Sequence, residues 1–208
     1  MGIRDALKQR AVDVGFDLVG VAPANPGADL AFAREWLRRG HGGEMAYLSN
    51  PKRLDPSLVL PSIKSVICVG LIYDTPYPYS TEVGNGQDAR AHRGWIARYA
   101  WGRDYHEIMR EKLEKLRASI EELAPGTETR VFADTGPVSE RAFARFSGLG
   151  WMGKNTCIIN EETGSWFFLG VILTNLALAP DLPAPDRCGS CTACLDACPT
   201  SALVESYI

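Results

Sequence analysis

The chain has 208 residues, 46% of them hydrophobic, and a formal net charge of −3. That is enough apolar material for one substantial core, or for one core with a small appendage. The charge excludes a general polycation, so attraction to nucleic-acid phosphates has to come from a local basic patch.

No apolar run reaches bilayer-spanning length, and the opening MGIRDALKQR lacks the apolar stretch of a signal peptide. A cytoplasmic location with no membrane partner is therefore expected. Four of the six cysteines crowd into Cys188–Cys198, and only Cys68 and Cys157 lie elsewhere. That clustering fits a reducing compartment with a metal site better than a disulfide framework.

In chain order, IRDALKQRAVDVG predicts a helix with Ile3, Leu7 and Val14 at helical spacing and Gly15 as its stop. FDLVGVA reads as a buried strand, and residues 29–39 as a second helix ending at Gly40. His41 to Pro61 is rich in Gly, Pro and Asn and reads mostly as loop. SVICVGLIY (65–73) is a strand, its apolar run nearly unbroken. Residues 74–103 form a long irregular segment, a length that points to function.

Asp104 with Glu107 resembles a capping pair. Met109, Leu113, Leu116, Ile120 and Leu123 then make one apolar helical stripe. TRVFAD is a strand and SERAFARFSGLG a short helix. NTCIIN and SWFFLGVILTN are two more strands, paired through the EETG turn. Pro180 to Pro185 reads as a linker. The expected architecture is a mixed α/β domain over residues 1–180, then the start of a second module at 181–208. Cys68, inside an apolar strand, and Cys157 are expected in the core.

Cys188-x2-Cys191-x2-Cys194-x3-Cys198-Pro199 has the spacing of the bacterial ferredoxin loop. Two residues between ligands allow a tight turn to aim three thiolates at three corners of one cubane. The small residues Gly189, Ser190, Thr192 and Ala193 let backbone N–H groups approach the sulfurs and offset their charge. A zinc knuckle would favour two separated pairs, often with His, and no His follows His106. In two-cluster ferredoxins the fourth cysteine serves the other cluster. The sequence ends at Ile208 without a second run, so an incomplete ligand set for two clusters is expected.

Three further stretches have the composition of a ligand site. ARYAWGRDYH (97–106) packs Arg98, Tyr99, Trp101, Arg103, Tyr105 and His106 at the mouth of a helix. DTGPVSER (134–141) puts an acid at a strand end before a Gly-Pro turn, and GWMGKNT (150–156) is a glycine-flexed loop. α/β folds place sites at the carboxyl ends of strands and at helix N-termini. Taken singly, a capped helix, a turn and an ordinary loop explain each.

Together and in order, ARYAWGRDYH, VFADTGPVSERAFA, GLGWMGKNTCIIN, GSWFFLGVILT and CGSCTACLDACPTSAL resemble the epoxyqueuosine reductases. MAYLSNPKRLDP and LPSIKSVICVG extend the resemblance over nearly the whole chain. It implies a nitroreductase-like α/β (α+β) cobalamin-binding domain, a two-cluster 4Fe-4S ferredoxin-like module, and reduction of epoxyqueuosine to queuosine at the wobble position of tRNA. It further implies an external electron donor as partner, and a monomer is expected.

By the same resemblance Asp134 is the proton donor to the epoxide oxygen while cob(I)alamin acts at carbon. Burial under the corrin would raise its pKa. The alternative for Asp134 is a cap on the 139–149 helix. Tyr99, Lys154 and Asn155 are expected around the cofactor, with Ser57, Ala97, Ile158 and Leu169 offering backbone or side-chain contacts. Cys188, Cys191, Cys194 and Cys198 are the expected metal ligands. His41, His92 and His106 are scattered, so cobalt without a protein axial ligand is expected, His106 orienting a loop or touching substrate. Arg93, Arg98 and Arg103 would suit a flipped nucleotide and its phosphates, or else a solvated loop. Two other readings compete. One is a dehalogenase-like cobalamin reductase, which would usually carry a twin-arginine signal. The other is a non-catalytic corrinoid-binding electron-transfer fragment.

Overall fold

The computed structural model describes residues 2–79, 82 and 94–208. Helix α1 (Ile3–Val14) buries Leu7 and Ala11 and stops at Gly15, whose φ of 92° is left-handed. Lys112 donates to the carbonyls of Val14 and Gly15, satisfying the helix end. Ile3, expected on the buried stripe, is exposed. After strand β1 (Leu18–Pro23) come α2 (Gly27–Arg38) and a loop-rich stretch. Its one-turn α3 (Pro51–Leu54) is capped by the Asn50 side chain.

β2 (Ser65–Ile72) precedes the long helix α4 (Tyr105–Leu123), β3 (Thr129–Phe132) and α5 (Glu140–Phe146). A two-strand hairpin follows, β4 (Trp151–Met152) with β5 (Ile158–Ile159), then β6 (Phe167–Thr174) and α6 (Ala193–Asp196). The main sheet is antiparallel, in the order β1-β2-β6-β3.

Both faces of this sheet are buried, which is why β2 and β6 read as unbroken apolar runs. Alternate residues go to opposite sides. Ile67, Val69 and Ile172 meet Leu7, Met109, Leu113, Leu116 and Ile120 of α1 and α4. Val66, Cys68, Val171 and Leu173 meet Phe143 and Ala144 of α5. Cys68 is a core thiol, pushed up to about 12 by burial. No helix among the described residues is long and apolar enough to cross a membrane.

Two expectations need correction. NTCIIN pairs with β4, not with β6, and only an Asn160–Gly164 bridge closes the EETG turn. Both edges of β6 are already taken by β2 and β3, so no ladder remains for β5. The 180–185 stretch is also no free linker at its start. Asp181 exchanges backbone and side-chain hydrogen bonds with Val21 and accepts from Arg4 and Lys8, each at 2.7 Å.

Candidate active site

β3 runs out at Phe132, and two residues later Asp134 adopts a φ of 60°, a left-handed conformation. Asp tolerates that region better than most residues. The turn closes through a Thr135 N–H to Ala133 carbonyl bond of 2.8 Å. Gly136 lies so close to the Phe132 ring that a Cβ would come within 2.6 Å of it. The Asp134 N–H donates to Glu140 Oε1 at 2.7 Å. Asp134 therefore does not cap α5; Ser139 occupies that position.

From α4, His106 reaches across to the same turn. Its Nε2 lies 3.2 Å from Asp134 Oδ2, and its Nδ1 2.7 Å from Oδ1 of Asp104, the residue that caps α4. Hydrogen bonding to Asp134, then to Asp104, raises the His106 pKa above its ordinary value. Glu107, the other half of the expected capping pair, faces Arg103 at 3.6 Å. Tyr105 stacks on His106 and lies nearly parallel to Phe168, 3.9 Å between ring centroids. Burial first, then the charge of Asp134, pushes Tyr105 up to about 12, so it stays a hydrogen-bond donor. Half-buried Glu140 is pushed up to about 7, chiefly by desolvation. A cavity of about 320 Å³ lies beside the group, lined by His106, Arg110, Phe132, Thr135 and Gly136.

Ala97 and Tyr99 line a different cavity of about 340 Å³, with Tyr73, Tyr79, Trp95 and Trp166. The two regions are joined by touching rings: Trp166, Tyr73, Phe168, Tyr105 and His106 stack or meet edge to face in sequence. Trp95 and Tyr99 of this lining are exposed, as is Ile96 next in sequence to Trp95. Such a patch fits one face of a large apolar ring such as a corrin. Ile158 is 4% exposed and packs in the core with Leu169 half-buried against it, so its side chain is not open to a ligand. Ser57 is exposed on its turn, its hydroxyl on Asp55 at 2.6 Å. Asn155 accepts the Cys157 N–H.

The expected burial of Asp134 is not supplied by the protein, since its side chain is 60% exposed. Nor is Arg98 available to phosphate. Its guanidinium is buried, paired with Asp74, bonded to the carbonyls of Thr75, Tyr77 and Pro78, and cradled by Tyr79, Trp101 and Trp166. Arg103 pairs with Glu111 at 3.0 Å. Arg93 and His92 lie outside the described residues.

In the cysteine loop the Cys191 N–H donates to the Cys188 carbonyl, and Lys154 donates to the carbonyls of Gly189 and Cys191. Backbone N–H groups, that of Leu203 first, hold the Cys198 thiol below its usual range. Among the described residues no three His, Cys, Asp or Glu side chains gather as a single metal ion would require. A cubane offers each thiolate its own iron, so its ligands need not converge on one point. Half-buried Cys188, Cys194 and Cys198 beside an exposed Cys191, with N–H donors aimed at the Cys198 sulfur, fit such a cluster.

Sequence reasoning placed Tyr105 in a ligand-like stretch without its link to Asp134, and missed Glu140. A glutamate at the first helical position, six residues after the acid, was the one available signal for Glu140.

Part of the reductive dehalogenases has a similar fold. One of these, from a structure whose description suggests a mechanism for B12-dependent dehalogenation, superposes with TM-score 0.52 over 87% of this chain at 18% identity, a likeness of fold alone. A family model described as "Epoxyqueuosine reductase QueG, DUF1730" matches residues 53–135. An epoxyqueuosine reductase from Gloeobacter violaceus is 48% identical over 204 residues, covering 97% of this chain and 61% of the relative. A crystal structure of an epoxyqueuosine reductase with an epoxyqueuosine-modified tRNA-Tyr stem loop matches 98% of the chain and 53% of its own, at 35% identity and TM-score 0.83. A Bacillus subtilis one, at 34% identity, 98% and 53% coverage and TM-score 0.83, is described with its Asp134 catalytic loop swung out of the active site. The chain belongs to the epoxyqueuosine reductase family. It spans about three fifths of the length of the curated relatives it matches.

Proposed function

We propose that this chain carries the corrinoid-binding and proton-delivering part of an enzyme that reduces epoxyqueuosine to queuosine in tRNA. The names of the relatives and the tRNA-bound structure support the substrate. The observation that carries the chemistry is the Asp134 carboxyl, projected from a left-handed turn onto the His106 ring at 3.2 Å. Converting an epoxide to an alkene and water consumes two electrons and two protons. Cobalamin, when bound, supplies the electron pair at carbon, recharged through 4Fe-4S clusters from an external donor.

The residues of this chain manage the oxygen. An epoxide oxygen leaves poorly as an alkoxide, so a proton has to reach it in the transition state. Asp134 Oδ2 passes that proton on from the His106 ring. His106, its imidazolium favoured by two carboxylates, replaces the proton after each transfer. Tyr105, Phe168, Tyr73 and Trp166 keep the route between the two cavities apolar. Tyr99, with the backbone of Ala97, borders the ring site, and Ser57, Asn155, Ile158 and Leu169 belong to loops and strands around it. Residues 1–180 bind the corrinoid, while Cys188, Cys191, Cys194 and Cys198 on 181–208 hold cluster iron.

The test uses full-length protein and epoxyqueuosine-containing tRNA. Asp134→Asn is expected to abolish queuosine formation while cobalamin uptake, read from its visible spectrum, is retained. Full activity in that variant would remove Asp134 from the reaction.

A further inference from the structure

Glu140 makes a contact that the proton route leaves unexplained. Its carboxylate is half-buried at the first position of α5, and Oε1 accepts the Asp134 N–H at 2.7 Å. Burial penalises its charge, pushing the group up to about 7 although the Asp134 N–H, Arg53 and Arg141 all favour the ionised form. A group that costs stability when charged stands against the local rules of packing, which points to a role in function. The Asp134 backbone needs such a partner. A φ of 60° on a residue with a side chain is sparsely populated and persists only where neighbours enforce it.

We propose that Glu140 is a positioning residue for proton delivery: by accepting the Asp134 N–H, its carboxylate fixes the left-handed turn that carries the Asp134 carboxyl to the Tyr105–His106 edge. The proposal rests on the reading of Asp134 as the proton donor. The charged and titratable groups facing Glu140 are Asp134 on the turn, Arg53 on α3, Arg141 on its own helix, Tyr105 on α4 and Cys68 on β2. A charge-assisted hydrogen bond is stronger than a neutral one, so the turn tightens as Glu140 ionises. Rising pH therefore improves the placement of Asp134 through about 7. The rate profile then has a rising limb that belongs to Glu140.

Glu140→Gln keeps an acceptor oxygen and removes the charge. In full-length enzyme it is expected to lower kcat roughly tenfold or more, with KM for tRNA unchanged and the rising limb lost. The folded-state pKa of Glu140 is raised, so its stabilising contribution is present at low pH and lost as pH rises towards about 7. The Gln variant should consequently be no less heat-stable than wild type at pH 8, which separates positioning from structural support. Independently, the Asp134 amide signal of cofactor-free full-length protein should titrate near neutrality in wild type and stay flat in the variant. Wild-type kcat in Glu140→Gln, or an Asp134 amide indifferent to pH, overturns the proposal. If Asp134→Asn proves fully active, the donor reading fails, and the amide titration still decides whether Glu140 holds the turn.

Discussion

His106 bridges two carboxylates from different elements: its Nε2 sits 3.2 Å from Asp134 and its Nδ1 2.7 Å from Asp104. Asp104 belongs to the cap of α4, and Asp134 follows β3. The imidazole thus ties the start of the long helix to the Asp134 turn. Only the doubly protonated ring can donate to both carboxylates at once, which is the cause of its raised pKa.

The His106 pair has a defined pH signature. The folded pKa lies above the unfolded value of about 6.5. The stabilising contribution is therefore fully present below that value and is lost as pH rises through the folded pKa. An NMR titration of the His106 ring should show a midpoint above the ordinary histidine range, and Asp134→Asn should lower it. His106→Gln should slow epoxide reduction by on the order of 10²-fold, the usual scale of a lost proton-transfer group. A midpoint that ignores the Asp134 substitution would dissolve the pair.

Arg98 is expected to matter for folding, not for phosphate binding. Its side chain is 3% exposed and satisfies Asp74 and three carbonyls inside an aromatic cradle. Arg98→Ala strips the guanidinium from those groups and leaves Asp74 only the Thr75 N–H. The cost is roughly 3 kcal/mol, at the low end for a broken buried pair because Asp74 keeps 36% of its surface in water. Lysine should not rescue it, lacking the planar fork that serves several acceptors at once. Denaturant unfolding measures this directly. A loss under about 0.5 kcal/mol would return Arg98 to the class of ordinary surface residues.

What could be read from the sequence followed the range of the interactions. β2 and β6 announced themselves because both sheet faces are covered, and the Met109–Ile120 stripe because one helix face is buried. Asp134 was visible as an acid at a strand end. Its partner His106 lies 28 residues away; it was legible as part of a ligand-like stretch, but its pairing with Asp134 was not. Asp181 meets the Val21 N–H across 160 residues, so a Pro-rich stretch read as a linker. Composition gives no register either. NTCIIN has the residues of a strand, but its neighbour was decided by β6 having no free edge. Arg98 looked like an exposed cation because nothing local shows that Asp74 and Trp166 close over it.

Lys154 couples the hairpin loop to the cysteine loop. Its ammonium donates to the carbonyls of Gly189 at 2.9 Å and Cys191 at 2.7 Å, while its own carbonyl accepts the Tyr207 N–H at 2.8 Å. Expected beside the corrinoid, it directs its hydrogen bonds to the turn that follows Cys188. A fixed positive charge there favours the more reduced, more anionic form of a bound cluster. Lys154→Met should therefore make the cluster of reconstituted full-length protein harder to reduce, its potential falling by on the order of tens of millivolts. The amides of Gly189 to Cys191 should exchange faster with solvent in the same variant, because the loop has lost its tether. A redox titration followed by electron paramagnetic resonance reads the first effect. An unchanged potential with unchanged exchange would mean that the lysine bridge plays no part in setting the cluster.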